Sequence, residues 1–468
     1  MKNNFVHQKA NKTNMEEFEY KIREIFFYIG SFGIRQKQIN IFEPKSISDN
    51  DKTEFLTQVH RGFRIGQSLI IEEILKLYED KVFVKEKFVE ARKQKDKNLL
   101  KFLSTSQNEI EYRINILRHF SDFIAWQLLK RQYFKARRFH SGEKERPDLL
   151  NTNFQSVINA VNYFHKQNSF DFALISDLTT FIDVGDIVLA TKNSLIVVEC
   201  KSGEIQAKVN KFLDKLAGSD WKKAVEDLAK EHTNKKALKI LDQAKRTLNQ
   251  HHKGAKLSHF MNHESGTDTF SDAEVEIYES KITEKYYYNE IEMAFKEAII
   301  PGFSTGIIED IVYFTVFRDN KTGMAFEVFN SMVKELNSKT HKTDYLHQLD
   351  LPIKEPLFCK PFGEEAIFEL LTGKLIFLLA IDIDALIALF NLKGFKARWM
   401  TRKETNKYLD SKPMYKPYIL QNQAIQIEAG KHIIVLGSQF LSKILLDNVT
   451  PSSFVDQYHS YSEKPIKK

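Results

Sequence analysis

Residues 181–202, from Phe181 to Ser202, read FIDVGDIVLATKNSLIVVECKS. Two apolar arms, Ile187-Val188-Leu189 and Leu195-Ile196-Val197-Val198, flank the polar run Thr191-Lys192-Asn193-Ser194, which is the composition of a short β-hairpin in a buried sheet. A turn centred between Lys192 and Asn193 pairs residues symmetrically about that point and sets Asp186 opposite Glu199, whether the loop holds two residues or four. Facing carboxylates destabilise a sheet, and apolar surroundings add a desolvation cost. A divalent cation between them would relieve both. Strand alternation puts Lys201 on the same face as Glu199, two residues further on. Leu195 to Val198 are apolar on both faces, as in a central strand covered by helices. The competing reading of Asp186, Glu199 and Lys201 is a surface salt bridge on an edge strand, with Cys200 an ordinary buried thiol.

An Asp, a β-turn and then Glu-x-Lys, here Asp186 followed after 13 residues by Glu199-Cys200-Lys201, resembles the core motif of the PD-(D/E)XK nuclease superfamily. The local form Val184-Gly185-Asp186-Ile187-Val188 is most similar to the nuclease-related-domain and type IV restriction branch. The tripeptide alone is a weak signal, because Glu19-Tyr20-Lys21, Glu79-Asp80-Lys81 and Glu279-Ser280-Lys281 also match it. None of those follows an Asp-bearing apolar arm. Upstream, Asn153 to Val161 resembles the family's first core helix, where a Glu often stands at the position of Gln155. Downstream, Leu241-Asp242-Gln243-Ala244-Lys245 resembles the helix whose Gln contacts the substrate phosphate or orients the catalytic groups. The resemblance spans roughly Leu149 to Phe317, about a third of the chain. It implies an α/β fold: a restriction-endonuclease-like mixed sheet flanked by helices, with a helical N-terminal region and a smaller C-terminal α/β region.

The same residue types suit phosphodiester hydrolysis, which needs a positioned water of lowered pKa and positive charge facing the phosphorus oxygens. Asp186 and Glu199 are expected to ligate Mg²⁺, with Mn²⁺ as a substitute, and the carbonyl of Cys200 is the candidate third ligand. Lys201 would stabilise the attacking hydroxide and the transition state. Gln155 and Gln243 would orient the water or a phosphate oxygen. A neutral amide at Gln155 favours one metal over two. Asp183 is the fallback ligand for a different hairpin register.

At 468 residues the chain holds two or three domains, divided here as a helical 1–147, a nuclease-like 148–320 and a C-terminal α/β 321–468. Its two cysteines, Cys200 and Cys359, support neither a disulfide framework nor a zinc site. The N-terminus MKNNFVHQKANKTN lacks the apolar core of a signal peptide. The apolar run from Leu375 to Leu392 meets Asp382 and Asp384 after only seven uncharged residues, too short to span a bilayer. A cytoplasmic protein without a membrane partner is expected.

Net charge is +7, and between Lys201 and Lys256 there are 14 Lys and Arg against 7 Asp and Glu. The whole surplus therefore follows the hairpin, as a nucleic-acid groove requires. In the helix around Leu238 to Gln250, Leu241, Ala244 and Leu248 form an apolar stripe, while Lys239, Gln243, Arg246 and Gln250 take another face. Lys239, Lys245, Arg246 and His251 are the candidate nucleic-acid contacts.

Helices are expected from Asn14, with Ile22, Ile25, Phe26 and Ile29 inward, and from Asn108 to Arg131. Phe139 to Asp148 reads as a linker. The polar stretch after Lys256, through Asp272, reads as a loop, and Ile307 to Phe317 as a closing strand of the nuclease sheet. Beyond about Gly323, Phe326–Leu336 is helical and Lys374–Ile381 a strand. Asp384 caps a helix to Leu392, and the strand His432–Gly437 precedes a helix from Gln439 to Asp447. This region would sense, dimerise or position substrate, so a homo-oligomer is among the states allowed. The expected function is a Mg²⁺-dependent endonuclease, with DNA favoured over RNA and a restriction or anti-phage role by family habit. An RNA-cleaving enzyme and a non-catalytic nucleic-acid-binding or regulatory protein are the alternatives.

Overall fold

The computed structural model describes residues 15–36, 48–142, 148–151, 153–201, 204–217, 228, 230, 234–270, 274–276, 283–318, 322–411 and 416–459. Asn14 and the segment 143–147 of the expected linker lie outside the described residues. By packing, the chain divides into two compact units, Met1–Ile277 and Tyr278–Lys468. The boundaries expected after residues 147 and 320 both fall inside these units.

The N-terminal unit begins with a helix at 15–26 (α1) that passes through a π-turn, Phe27–Ser31, into α2 (Phe32–Gln36). Phe18, Ile22, Ile25 and Ile29 are its buried stripe. Two long helices follow, α3 (Asp49–Gln94) and α4 (Lys97–Leu128). Ser48 and Asp96 cap their N-termini, and Lys95 in the left-handed region at φ 55° makes the turn between them. Then come α5 (Tyr133–Phe139), α6 (Phe154–Gln167), and three strands, β1 (Phe172–Ile175), β2 (Ile187–Ala190) and β3 (Leu195–Val198). These strands form an antiparallel sheet in the order β1-β2-β3. Helices α7 (Glu204–Ala217) and α8 (Asn234–His263) precede a small hairpin, β4 (Ser265–Thr267) with β5 (Glu274–Glu276). The stretch read as a loop after Lys256 is thus two further turns of helix and a hairpin.

The helical region and the sheet share one unit because polar side chains of the helices complete the sheet's backbone bonding. On the outer edge of β1, Gln67 of α3 donates from Nε2 to the Ala173 carbonyl (2.9 Å) and accepts at Oε1 from the Ile175 amide (3.0 Å). The Ala173 amide donates to His165 Nε2 of α6 (3.0 Å). Arg118 of α4, 2% exposed, donates to the carbonyls of Asp177 and Thr179 beyond β1 and to Tyr78 Oη. Asp122 accepts from the Thr180 amide and hydroxyl, both at 2.7 Å. A buried backbone group left unpaired is costly, so these bonds bind α3 and α4 to the strands.

β3 is an edge strand among the described residues, which corrects the expected central position. Its open side is closed by α8: Asn262 accepts from the Leu195 amide (3.0 Å) and donates to the Leu195 carbonyl (3.2 Å), and Ser258 Oγ accepts from the Val197 amide (3.0 Å). The helix satisfies the backbone edge and leaves the side chains only partly covered: Leu195, Val197 and Val198 are half-buried and Ile196 is 40% exposed, so the strand lacks the expected cover on both faces.

In the C-terminal unit, α9 (Tyr288–Glu297) leads to β6 (Phe303–Ile308) and β7 (Val312–Arg318). Next are α10 (Thr322–Glu335), β8 (Thr340–Asp344), α11 (Glu364–Leu371) and β9 (Leu375–Asp382). Their antiparallel sheet has the order β6-β7-β9-β8. Ile307 to Phe317 is therefore not a single closing strand of the hairpin sheet: it holds the end of β6, a turn and most of β7, which lies inside this sheet between β6 and β9. Phe329 and Val333 of α10 pack on Leu378 and Ala380 of β9. Helix α12 (Ile383–Leu392) is capped by Asp382, whose carboxylate accepts from the Ala385 amide (2.9 Å). Asp384 is not the cap; it accepts from Lys339 N (2.9 Å) and Trp399 Nε1 (2.6 Å). A second antiparallel sheet joins β10 (Lys396–Trp399), β11 (Ile425–Ala429) and β12 (His432–Val435), with α13 (Arg402–Asp410) between β10 and β11. Among the described residues no helix is long and apolar enough to cross a membrane.

Candidate active site at the hairpin end

The hairpin pairs Ile187 with Val198, Val188 with Val197, Leu189 with Ile196 and Ala190 with Leu195. Asp186 and Glu199 are the next residues on the two arms, so they stand opposite each other just past the ladder, in the expected register. The Asp186 amide still bonds the Val198 carbonyl (2.9 Å). Gly185 turns the chain into this position at φ +78°, and a Cβ there would lie 2.3 Å from Val197 Cγ1. Only glycine meets both conditions.

Asp186 Oδ2 accepts from the Cys200 amide (2.5 Å). Burial raises the Asp186 carboxyl above its ordinary range, the Cys200 N–H opposes that, and the Glu199 carboxylate pushes it up further. Lys201 Nζ lies 3.2 Å from Glu199 Oε2, with the two side chains 21% and 10% exposed. Cys200 has its thiol pushed up to about 11 by burial and by the carboxylates of Asp186 and Glu199. It is a protonated thiol at neutral pH, which leaves only its backbone to serve a cation. Asp183 is occupied elsewhere: it accepts from the Ser141 amide and hydroxyl, both at 2.8 Å, and lies 3.1 Å from His140 Nδ1. It anchors the chain after α5.

Lys201 also lines a cleft of about 400 Å³ together with Gln243, Arg246, Asn249, Gln250 and Lys253 of α8. Lys239, Gln243, Arg246, Gln250 and Lys253 recur at steps of four and three, so they share one helix face. The buried face carries Ala237, Ile240 and Ala244 against Val209, Phe212 and Leu228. Leu241 is partly buried there, whereas Leu248 is 44% exposed, so the apolar stripe is centred on Ile240 and not on Leu248. Lys239 is exposed one turn before Gln243, outside the cleft lining. Lys245 and His251 are exposed off this face and do not line the cleft. Gln155 is exposed on α6 and its Nε2 donates to Asn159 (3.2 Å); no described contact joins it to Asp186, Glu199 or Lys201. Lys253 and Asn249 are the residues that sequence reading missed. Continuing the Lys239–Gln250 face by one step would have found Lys253.

Among the described residues no group of three or more His, Cys, Asp and Glu gathers as a metal cage. The donors present are two facing carboxylates, one of them held above its ordinary pKa, and this pair fits a hard cation. Mg²⁺ takes few protein ligands and keeps several waters, so two carboxylates suffice in number. No family model, no curated protein and no solved structure matches the chain.

Proposed function

We propose that the hairpin end and the α8 face together form a Mg²⁺-dependent phosphodiesterase site of the PD-(D/E)XK type, acting as an endonuclease on DNA. The observation that carries this reading is the double position of Lys201, which is ion-paired to Glu199 and also lines the cleft with Arg246 and Lys253. The carboxylate pair and the cationic cleft are therefore contiguous. A phosphate in that cleft would face one guanidinium and two ammonium groups, with no carboxylate among the described lining residues. Such charge attracts a polyanionic backbone and stabilises developing charge on phosphorus oxygens. The Gln243 amide would orient a phosphate oxygen or the attacking water, and Lys201 would hold negative charge on that water as it adds to phosphorus. A Mg²⁺ held by Asp186 and Glu199 would supply Lewis acidity and a bound water of lowered pKa. Asp186 is kept in place by the Cys200 amide, and Glu199 by the Lys201 ammonium.

Plasmid, single-stranded DNA and RNA should be offered to the full chain with Mg²⁺ and with EDTA. Mg²⁺-dependent nicking of plasmid is expected, reduced at least about a hundredfold by Glu199→Gln or Lys201→Ala. Cleavage of RNA alone would reassign the substrate. Equal cleavage by wild type and both variants, or no cleavage of any of the three, would remove the enzyme assignment.

A further inference from the structure

The C-terminal unit contains a second basic cleft, of about 640 Å³, between the end of α10, the segment 336–339 and the edge strand β8. Lys334, Lys339 and Lys342 line it against Asp384, the single carboxylate among the described lining residues. That carboxylate is already committed, since Oδ1 accepts from Trp399 Nε1 (2.6 Å) and Oδ2 from the Lys339 amide (2.9 Å). Two of the lysines are held by neutral groups. Lys339 Nζ donates to Gln423 Oε1 (2.7 Å) and sits 4.2 Å from the centre of the Trp399 ring, and Lys342 Nζ donates to Asn330 Oδ1 (2.8 Å). No carboxylate among the described residues pairs with any of the three. Elsewhere in the same unit Lys354, Lys393 and Lys443 each hold an acid, Asp447, Asp456 and Glu284 respectively. Three cations around one carboxylate leave the cleft with a surplus of positive charge, and a multiply charged anion between them would offset their mutual repulsion.

Two further features fit such a ligand. The segment 336–339 on the cleft wall is held in place, because Lys339 donates its amide to Asp384 and accepts at its carbonyl from Ile383 (2.9 Å). The cleft volume lies in the range that takes small molecules, roughly 300–1,000 Å³.

We propose that this cleft binds a small di- or triphosphate anion of nucleotide size, with Lys334, Lys339 and Lys342 as its phosphate contacts. The inference stands apart from the nuclease reading, which concerns the other unit. Isothermal titration of the full chain with ATP and with inorganic pyrophosphate tests it, repeated in Lys334→Ala/Lys342→Ala and in Arg246→Ala/Lys253→Ala. Saturable one-to-one binding is expected, weakened at least tenfold by the first pair and unchanged by the second, with the circular dichroism of both variants matching wild type. ATP binding more tightly than pyrophosphate would identify a nucleotide as the ligand, and equal binding would mean that the phosphates alone are read; both results support a phosphate site. Absence of saturable binding for either probe, or loss only in the Arg246/Lys253 variant, would overturn it.

Discussion

Asp186 bears the electrostatic cost of the hairpin site. Its carboxyl is raised by burial and by Glu199, so the folded chain holds that proton at higher pH than the unfolded chain does. A folded pKa above the unfolded one contributes stability that is complete below the ordinary value of 3.8 and is lost as pH rises through the raised value. In EDTA, Asp186→Asn should therefore unfold at higher temperature than wild type near neutral pH, and the gap should close below pH 3.8. Mg²⁺ should raise the wild-type midpoint and leave that of Asp186→Asn nearly unchanged. A midpoint indifferent to Mg²⁺ in both proteins would remove the metal from this position.

At the scale of elements, side chains close the sheet where strands are lacking. Gln67 is 2% exposed and serves both Ala173 and Ile175. Gln67→Leu leaves two buried backbone groups unpaired and should cost about 1–3 kcal/mol for each. Asn262 does the same for Leu195 from an exposed position, where water can replace it. Asn262→Ala should cost only about 0.5–1.5 kcal/mol; urea unfolding of both variants checks the contrast. In the C-terminal unit, Lys360 follows the short 3-10 turn Leu357–Cys359, is 4% exposed and donates to Tyr345 Oη (2.9 Å) and to the Leu446 carbonyl. Burial lowers it to about 8 from 10.5. The unfolded chain then binds more protons between these values, so stability should rise with pH from 8 towards 10, Lys354 acting in the same direction. Lys360→Met should flatten that rise in unfolding curves taken between pH 7.5 and 9.5, a window chosen around the lowered value.

For the whole molecule the relevant quantity is where the charge sits. The +7 surplus lies between Lys201 and Lys256, and α8 turns part of it to the same cleft as Lys201. If Lys239 and Arg246 each contact a phosphate of duplex DNA, replacing both with Ala should reduce the slope of log affinity against log salt by about 1.8. Filter-binding or anisotropy titrations across salt concentrations give that slope, and an unchanged value would put the groove elsewhere. The lysines of the C-terminal cleft should leave it unaltered.

The hairpin, its register and the facing of Asp186 and Glu199 were legible in the sequence, because alternation and turn position are local and leave few pairings that bury the apolar arms. So were the stripe of α1, much of the order of elements in the C-terminal unit and one basic face of α8. What the sequence could not show was which elements meet. An apolar strand closed on one side by Ser258 and Asn262 has the same composition as one flanked by strands, so the edge position of β3 was hidden. The assignment of β7 to the sheet of β9, the cap at Asp382 in place of Asp384, and the exposed Leu248 likewise depend on long-range packing. The same holds at the site: Lys253 joins Lys201 in one cleft, while Gln155, Lys245 and His251 stay outside it, because side chains far apart in sequence are brought together by the way α8 lies along β3.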